Sequence, residues 1–210
     1  MTEDIRDAMV AYLEEQGLDT GNAENWFNLG GQLFDEERLE EAEIAYQECL
    51  KLDPTNVDAW RDLGATYFLR NQNDEAEKAF KRGIECNPND ADLWYNLGCV
   101  YHSIDRYEDA IEVFRTALKH NPEGAGILCN LGSALRAVGN EKEAEKMFRR
   151  AIEAQQENMV AWLNLMQLLY ATGRDDEAEL AYEEAKRLAP GFEDFIDSLD
   201  EYVSEKLDEE

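Results

Sequence analysis

Trp26, Trp60, Trp94 and Trp162 are spaced by 34, 34 and 68 residues, and this period constrains the chain more than any other feature. The skipped slot holds Leu128. Leucine follows three residues after each, at Leu29, Leu63, Leu97, Leu131 and Leu165. The next position is Gly30, Gly64, Gly98 and Gly132, then Met166. Further along each unit come Ala42, Ala76, Ala110, Ala144 and Ala178, and four residues later Tyr46, Phe80, Phe114, Phe148 and Tyr182. A small residue follows at Cys49, Gly83, Ala117, Ala151 and Ala185. Proline closes the units at Pro54, Pro88, Pro122 and Pro190, with Gln156 in the fourth. Self-similarity at a fixed period of this size is the mark of a stacked repeat array.

Each unit reads as two amphipathic helices, A and B. In the second unit Trp60, Leu63, Gly64 and Tyr67 lie at helical spacing. After the polar run Asn71–Asp74, Ala76, Ala79, Phe80, Gly83 and Ile84 resume it. Asp74 is the expected N-cap of helix B, with Glu77 completing a capping box. Gly64 and Ala76 are small where the two helices approach, and Phe80 is expected to fill the space between its hairpin and the next. Pro88 cannot continue helix B, because it lacks an amide hydrogen. One hairpin cannot cover both its apolar faces, so neighbours must stack.

The W-x-x-L-G, A-x-x-x-F and closing P pattern at this period resembles the tetratricopeptide-repeat family. The resemblance implies an all-α fold, a right-handed superhelical α-α solenoid of five helix-turn-helix repeats with N- and C-terminal flanking helices. The units fall at 23–56, 57–90, 91–124, 125–158 and 159–190, after an N-terminal helix and linker over 1–22. A C-terminal capping helix and acidic tail occupy 191–210. Ile5, Ala8, Met9, Tyr12 and Leu13 form one stripe of the first flanking helix, which Gly17 stops. Phe192, Phe195, Ile196, Leu199, Tyr202 and Val203 form the stripe of the last. It reads as a solvating cap over the final hairpin, with dimerisation as the alternative.

The chain carries 20 Lys and Arg against 48 Asp and Glu, a formal charge of −28. Such a field repels nucleic acid and anionic membranes and attracts basic segments, besides solvating the surface. No apolar run reaches membrane-spanning length, and the start has no basic and apolar leader pattern, so a cytoplasmic location is expected. The four cysteines show no close pairing, which suits free thiols in a reducing compartment.

An enzyme reading lacks its parts. There are two histidines, no phosphate loop, no dinucleotide fingerprint and no H-E-x-x-H. A non-enzymatic protein without cofactors is expected. One trio, Cys99, His102 and Cys129, offers thiolates and an imidazole for zinc, with Asp105 or water as a fourth ligand. The plainer reading, which the loose spacing favours, is two small thiols beside an ordinary histidine.

In the family it resembles, the A helices line a concave groove where partners bind. The resemblance implies that positions 2, 5, 6, 9, 12 and 13 of each unit face it. Position 6 holds Asn28, Asp62, Asn96, Asn130 and Asn164, and an asparagine amide both donates and accepts, so it can clamp the backbone of an extended peptide. Asparagine is also habitual there in the family. Position 5 holds Phe27, Arg61, Tyr95, Cys129 and Leu163, and position 12 holds Phe34, Phe68, His102, Arg136 and Tyr170. Exposed aromatic side chains on such a face suggest binding anchors, though burial between helices is the other fate of an aromatic at this spacing. The lysine and arginine pattern with which chaperone-binding relatives grip acidic tails is missing: position 2 is Glu24, Asp58, Asp92, Gly126 and Val160. The sequence thus points to a protein-interaction scaffold holding an extended protein or peptide segment, basic or aromatic rather than acidic. The alternative is a structural assembly subunit acting by self-association or through its convex face.

Overall fold

The computed structural model describes residues 2–188, which form eleven α-helices and, among those residues, no strand. Pro190, the C-terminal helix expected at 192–207 and the acidic tail lie outside them. The chain divides into two compact units, Met1–Asn121 and Pro122–Glu210. The first holds α1 (Thr2–Glu15) and three hairpins: α2 (Ala23–Asp35) with α3 (Leu39–Leu52), α4 (Val57–Leu69) with α5 (Asn73–Cys86), and α6 (Ala91–Ser103) with α7 (Tyr107–His120). The second holds α8 (Ala125–Ala137) with α9 (Glu141–Ala154) and α10 (Met159–Ala171) with α11 (Asp175–Leu188). The A helices begin on the first residue of each unit read from the sequence.

Local chemistry explains these boundaries. Side chains of Asn22, Asn56, Asp90 and Asn158 accept hydrogen bonds from the first-turn amides of α2, α4, α6 and α10, satisfying donors that the helix cannot. Every A helix ends on one geometry. The residue after its C-cap adopts left-handed φ: Glu37, Asn71, Asp105, Gly139 and Gly173, at 60°, 58°, 59°, 78° and 72°. The following amide then reaches back to the last turn, as Arg38 N–H does to Leu33 O at 2.9 Å. The B helices start differently. Gln72, not Asp74, is the N-cap of α5, and no side chain caps it. Asp74 lies exposed in the first turn, where negative charge complements the helix dipole, so the expected capping box does not form.

Packing follows the repeat. Phe80, Phe114 and Phe148 are buried and lie against the glycine of their own A helix. A Cβ on Gly64 would sit 2.6 Å from Phe80, and one on Gly98 would sit 2.4 Å from Phe114. Glycine is required there by close approach, not by backbone conformation. Each closing segment then holds the next tryptophan. The indole N–H of Trp60 donates to Pro54 O at 2.9 Å, that of Trp94 to Pro88 O at 2.8 Å, and that of Trp162 to Gln156 O at 3.0 Å.

Ion pairs tie successive B-helix starts together. Arg106 reaches Glu77 at 3.2 Å, and Arg174 reaches Glu145 at 2.8 Å from the equivalent position in its own unit. In the second repeat Gln72 takes that place and Arg70 pairs with Glu43 instead. At the other end α1 packs on α3 through buried Met9 and Leu13, with Ile5 half-buried. Ala8 and Tyr12, from the same expected stripe, are exposed. Arg6 fixes the contact by pairing at 3.0 Å with Glu48, whose side chain is 9% exposed.

Candidate ligand-binding face on the A helices

The recess nearest to the expected groove lies between α2 and α4. Its volume is about 160 Å³, and Gly31, Phe34, Asp35, Tyr46, Asp62 and Ala65 line it. Gly31 and Ala65 occupy position 9 of their repeats, and their small size lets the edge of Tyr46 form the floor. Phe34, Asp35 and Asp62, at positions 12, 13 and 6, were expected on this face; Tyr46 completes it. Tyr46 was legible only as a framework aromatic, and the signal that it reaches the face is the glycine at position 31.

The electrostatics of this recess are acidic. Burial pushes the Asp62 carboxyl above its ordinary range, Arg61 pulls it down, and Asp58 pushes it up again. Burial likewise raises the Tyr46 phenol, with Asp62 and Asp35 adding to the effect. Arg61 does not project a free cation. It pairs with Asp58 at 2.6 Å and approaches Asp62 at 3.6 Å and Asp90 at 4.0 Å. The three carboxylates around it leave the local charge negative. In the second unit Arg136 donates to Gln167 Oε1 at 2.9 Å, a bond between positions 12 and 9 of consecutive A helices.

The expected aromatic anchors divide in two. Phe27 and Tyr95 are half-buried, their rings tilted against Tyr46 at 5.9 Å and Phe114 at 6.0 Å, so they wall the hairpin. His102 meets the edge of Tyr107 at 5.2 Å, and burial holds its imidazole below the usual range against the pull of Asp105. Tyr170 is 44% exposed, and its hydroxyl donates to Glu179 at 2.9 Å. Asn28 is exposed and Asn96, Asn130 and Asn164 are partly so. Among the described residues the side chains of Asn28, Asn96 and Asn164 make no hydrogen bond, leaving three amides open to a ligand.

The metal candidate fares differently. Among the described residues no three His, Cys, Asp or Glu side chains are placed to hold a metal ion. Cys129 is buried, and burial raises its thiol to about 11, which favours the protonated form over a thiolate ligand. No described helix is long and apolar enough to cross a membrane.

Hairpins of this length, joined by left-handed turns and packed aromatic on glycine, define a tetratricopeptide-repeat protein with a protein-interaction scaffold fold. The chain belongs to the family described as cilia and flagella-associated protein 70 C-terminal domain, whose model matches residues 2–201. No curated protein sequence matches it. Solved structures carry the same fold. A crystal structure of MamA is 24% identical with a TM-score of 0.71, over 76% of this chain and 93% of that one. YrrB, described as a TPR protein with an unusual peptide-binding site, is 22% identical with a TM-score of 0.67, over 87% and 93%. PilF of Pseudomonas aeruginosa is 19% identical with a TM-score of 0.74, over 80% and 76%. At these identities the likeness establishes the fold alone.

Proposed function

We propose that the chain is a non-enzymatic scaffold whose A-helix face holds an extended peptide segment, with a basic or aromatic side chain seated between α2 and α4. The acidic, aromatic-walled recess at Phe34, Tyr46, Asp35 and Asp62 carries this reading. A half-desolvated carboxylate gains most from a cation that enters beside it, and the aromatic walls suit a guanidinium or a ring. The open amides of Asn28 and Asn96 suit the peptide backbone, and the peptide-binding site of YrrB gives the fold a precedent. Titration with a fluorescent peptide rich in arginine and aromatic residues tests it. Asp62→Asn and Phe34→Ala should each weaken binding about tenfold, the equivalent of about 1.4 kcal/mol. Asn96, Asn130 and Asn164 replaced together by alanine should weaken it further, with helix content retained. Affinity unchanged in all three variants sinks the reading.

A second reading, assembly through the end of the array, draws on another recess. Between α1, α2 and α3 about 410 Å³ is lined by Ile5, Ala8, Met9, Leu29 and Leu33, with Tyr12 at its edge. Light scattering across a concentration series separates the two, because self-association through this surface should be lost on Tyr12→Glu.

A further inference from the structure

A recess beside the B helices of the first two repeats runs counter to the overall charge of the chain. Between α3 and α5, with α4 beneath, lies a recess of about 450 Å³ whose floor is Leu50, Trp60, Leu63, Tyr67 and Ala79. Its walls carry Lys51 on α3 and Lys78 and Arg82 on α5, against the single carboxylate of Glu75. Three cations against one anion run counter to the overall charge of −28.

The repeats supply an internal control. One period on, the floor is kept as Ile84, Trp94, Leu97, Tyr101 and Val113. The wall positions change sign: Lys51, Glu75, Lys78 and Arg82 become Glu85, Asp109, Glu112 and Thr116, and Gln47 becomes Lys81, the one cation. Between the fourth and fifth repeats the floor is Ile152, Trp162, Leu165, Leu169 and Ala181. The walls there are Glu153, Glu177, Leu180 and Glu184, with Arg149 in the place of Gln47. Stacking therefore needs the apolar floor at these junctions but not the cations. The corresponding positions of the third and fourth repeats are Arg115, Lys119, Lys146 and Arg150 with Glu143. Two of the four sets are thus cationic and two acidic over the same kind of apolar floor, so the sign is not a consequence of the fold.

The cations are also available. Lys78 is exposed and makes no ion pair among the described residues. Arg82 pairs at 2.8 Å with Glu85, but both side chains are more than 60% exposed, and such a pair is worth little and exchanges readily. Lys51 shares Glu48 with Arg6, so Glu48 keeps a partner if Lys51 turns outward. Trp60, half-buried, is fixed by its bond to Pro54 O and presents a preset apolar surface.

We propose that this recess docks an acidic amphipathic helix of a partner protein. An apolar floor between two cationic walls is matched by an apolar ridge at i, i+3, i+4 and i+7 with Asp or Glu along both flanks. The site is separate from the A-helix face and selects for the opposite charge.

A phage-displayed library of random 16-residue peptides, panned on the full chain, tests this. The expected outcome is a class of net-negative peptides with large apolar residues at that spacing. The best of them should bind K78E/R82E at least tenfold more weakly, and K51E, on the other wall, several-fold more weakly. Their affinity for the wild-type chain should fall as salt rises from 0.05 to 0.3 M. Lys51, Lys78 and Arg82 are exposed, so circular dichroism of each variant should match wild type. Asp62→Asn should leave these peptides bound while releasing basic ones, which separates the two faces. Absence of acidic peptides from the enriched pool, or equal binding to K78E/R82E, overturns the proposal. Self-association of the chain abolished by K78E/R82E also overturns it, by assigning the recess to a second copy.

Discussion

Adjacent glycines in α2 should respond to alanine in opposite directions. A Cβ on Gly30 would lie 2.7 Å from both Cδ1 and Cε1 of Tyr46 and 3.1 Å from Cζ. Tyr46 is 1% exposed, so the ring has nowhere to swing, and overpacking of this kind costs about 1–3 kcal/mol. Alanine is worth about 0.8–1 kcal/mol over glycine in a helix, which leaves Gly30→Ala destabilised by up to about 2 kcal/mol. A Cβ on Gly31 meets only the Tyr46 hydroxyl, at 4.0 Å, which is ordinary contact. Gly31→Ala keeps the helix gain and should be stabilised by up to about 1 kcal/mol. The helix gain is common to both, so the two variants should differ by the overpacking cost of about 1–3 kcal/mol, or about 2–12 °C in melting midpoint for a chain of this size. Urea unfolding followed by circular dichroism at 222 nm reads the difference, with tryptophan fluorescence as a second probe because repeat arrays need not unfold in one step. Equal midpoints for the two variants would refute the argument that the ring, not the backbone, demands glycine at position 30.

Four further outcomes are expected. Arg6→Ala removes the α1 partner of nearly buried Glu48 and should cost about 1 kcal/mol, read as loss of amide protection in α1 with little change elsewhere. A double-mutant cycle on Arg174→Ala and Glu145→Gln should give a small coupling that shrinks in 1 M salt, since Arg174 is partly exposed. Glu37→Gly relieves a left-handed φ of 60° and should raise the urea midpoint by the equivalent of up to about 1 kcal/mol, whereas Gly139→Ala, at φ 78°, should lower it. Acid should loosen the array: burial raises the carboxyls of Glu48, Glu77 and Glu145, but their Lys, Arg and Tyr partners hold them below the ordinary range. A depressed folded-state value means stability that is present above the unfolded value of about 4.3 and lost as pH falls through the lower folded one, so melting temperature should drop below about pH 4.5 and level off toward neutral.

What the sequence conveyed and what it hid follow from one division of labour. Trp60, Leu63, Gly64 and Phe80 are repeated because a stack of similar hairpins needs the same contacts again and again, and their period places the start of every A helix on the residue where the structure begins it. The A-helix ends were harder to read, since the left-handed residue is Glu, Asn, Asp, Gly and Gly in turn. The helix demands the conformation there, and no one side chain supplies it. Asp74 misled for a related reason. An acid near a helix start serves the dipole as well as it serves a cap, and the turn geometry decides which. The face residues were legible as positions but not as chemistry. Arg61 reads along the chain as a face position, yet Asp58, Asp62 and Asp90 surround it once α4 is folded. Positions free of the stacking duty carry the individuality of the protein. Where such positions change charge over an unchanged apolar floor, as Lys78 and Arg82 do against Glu112 and Thr116, the variation is independent of folding and is where a partner can be read.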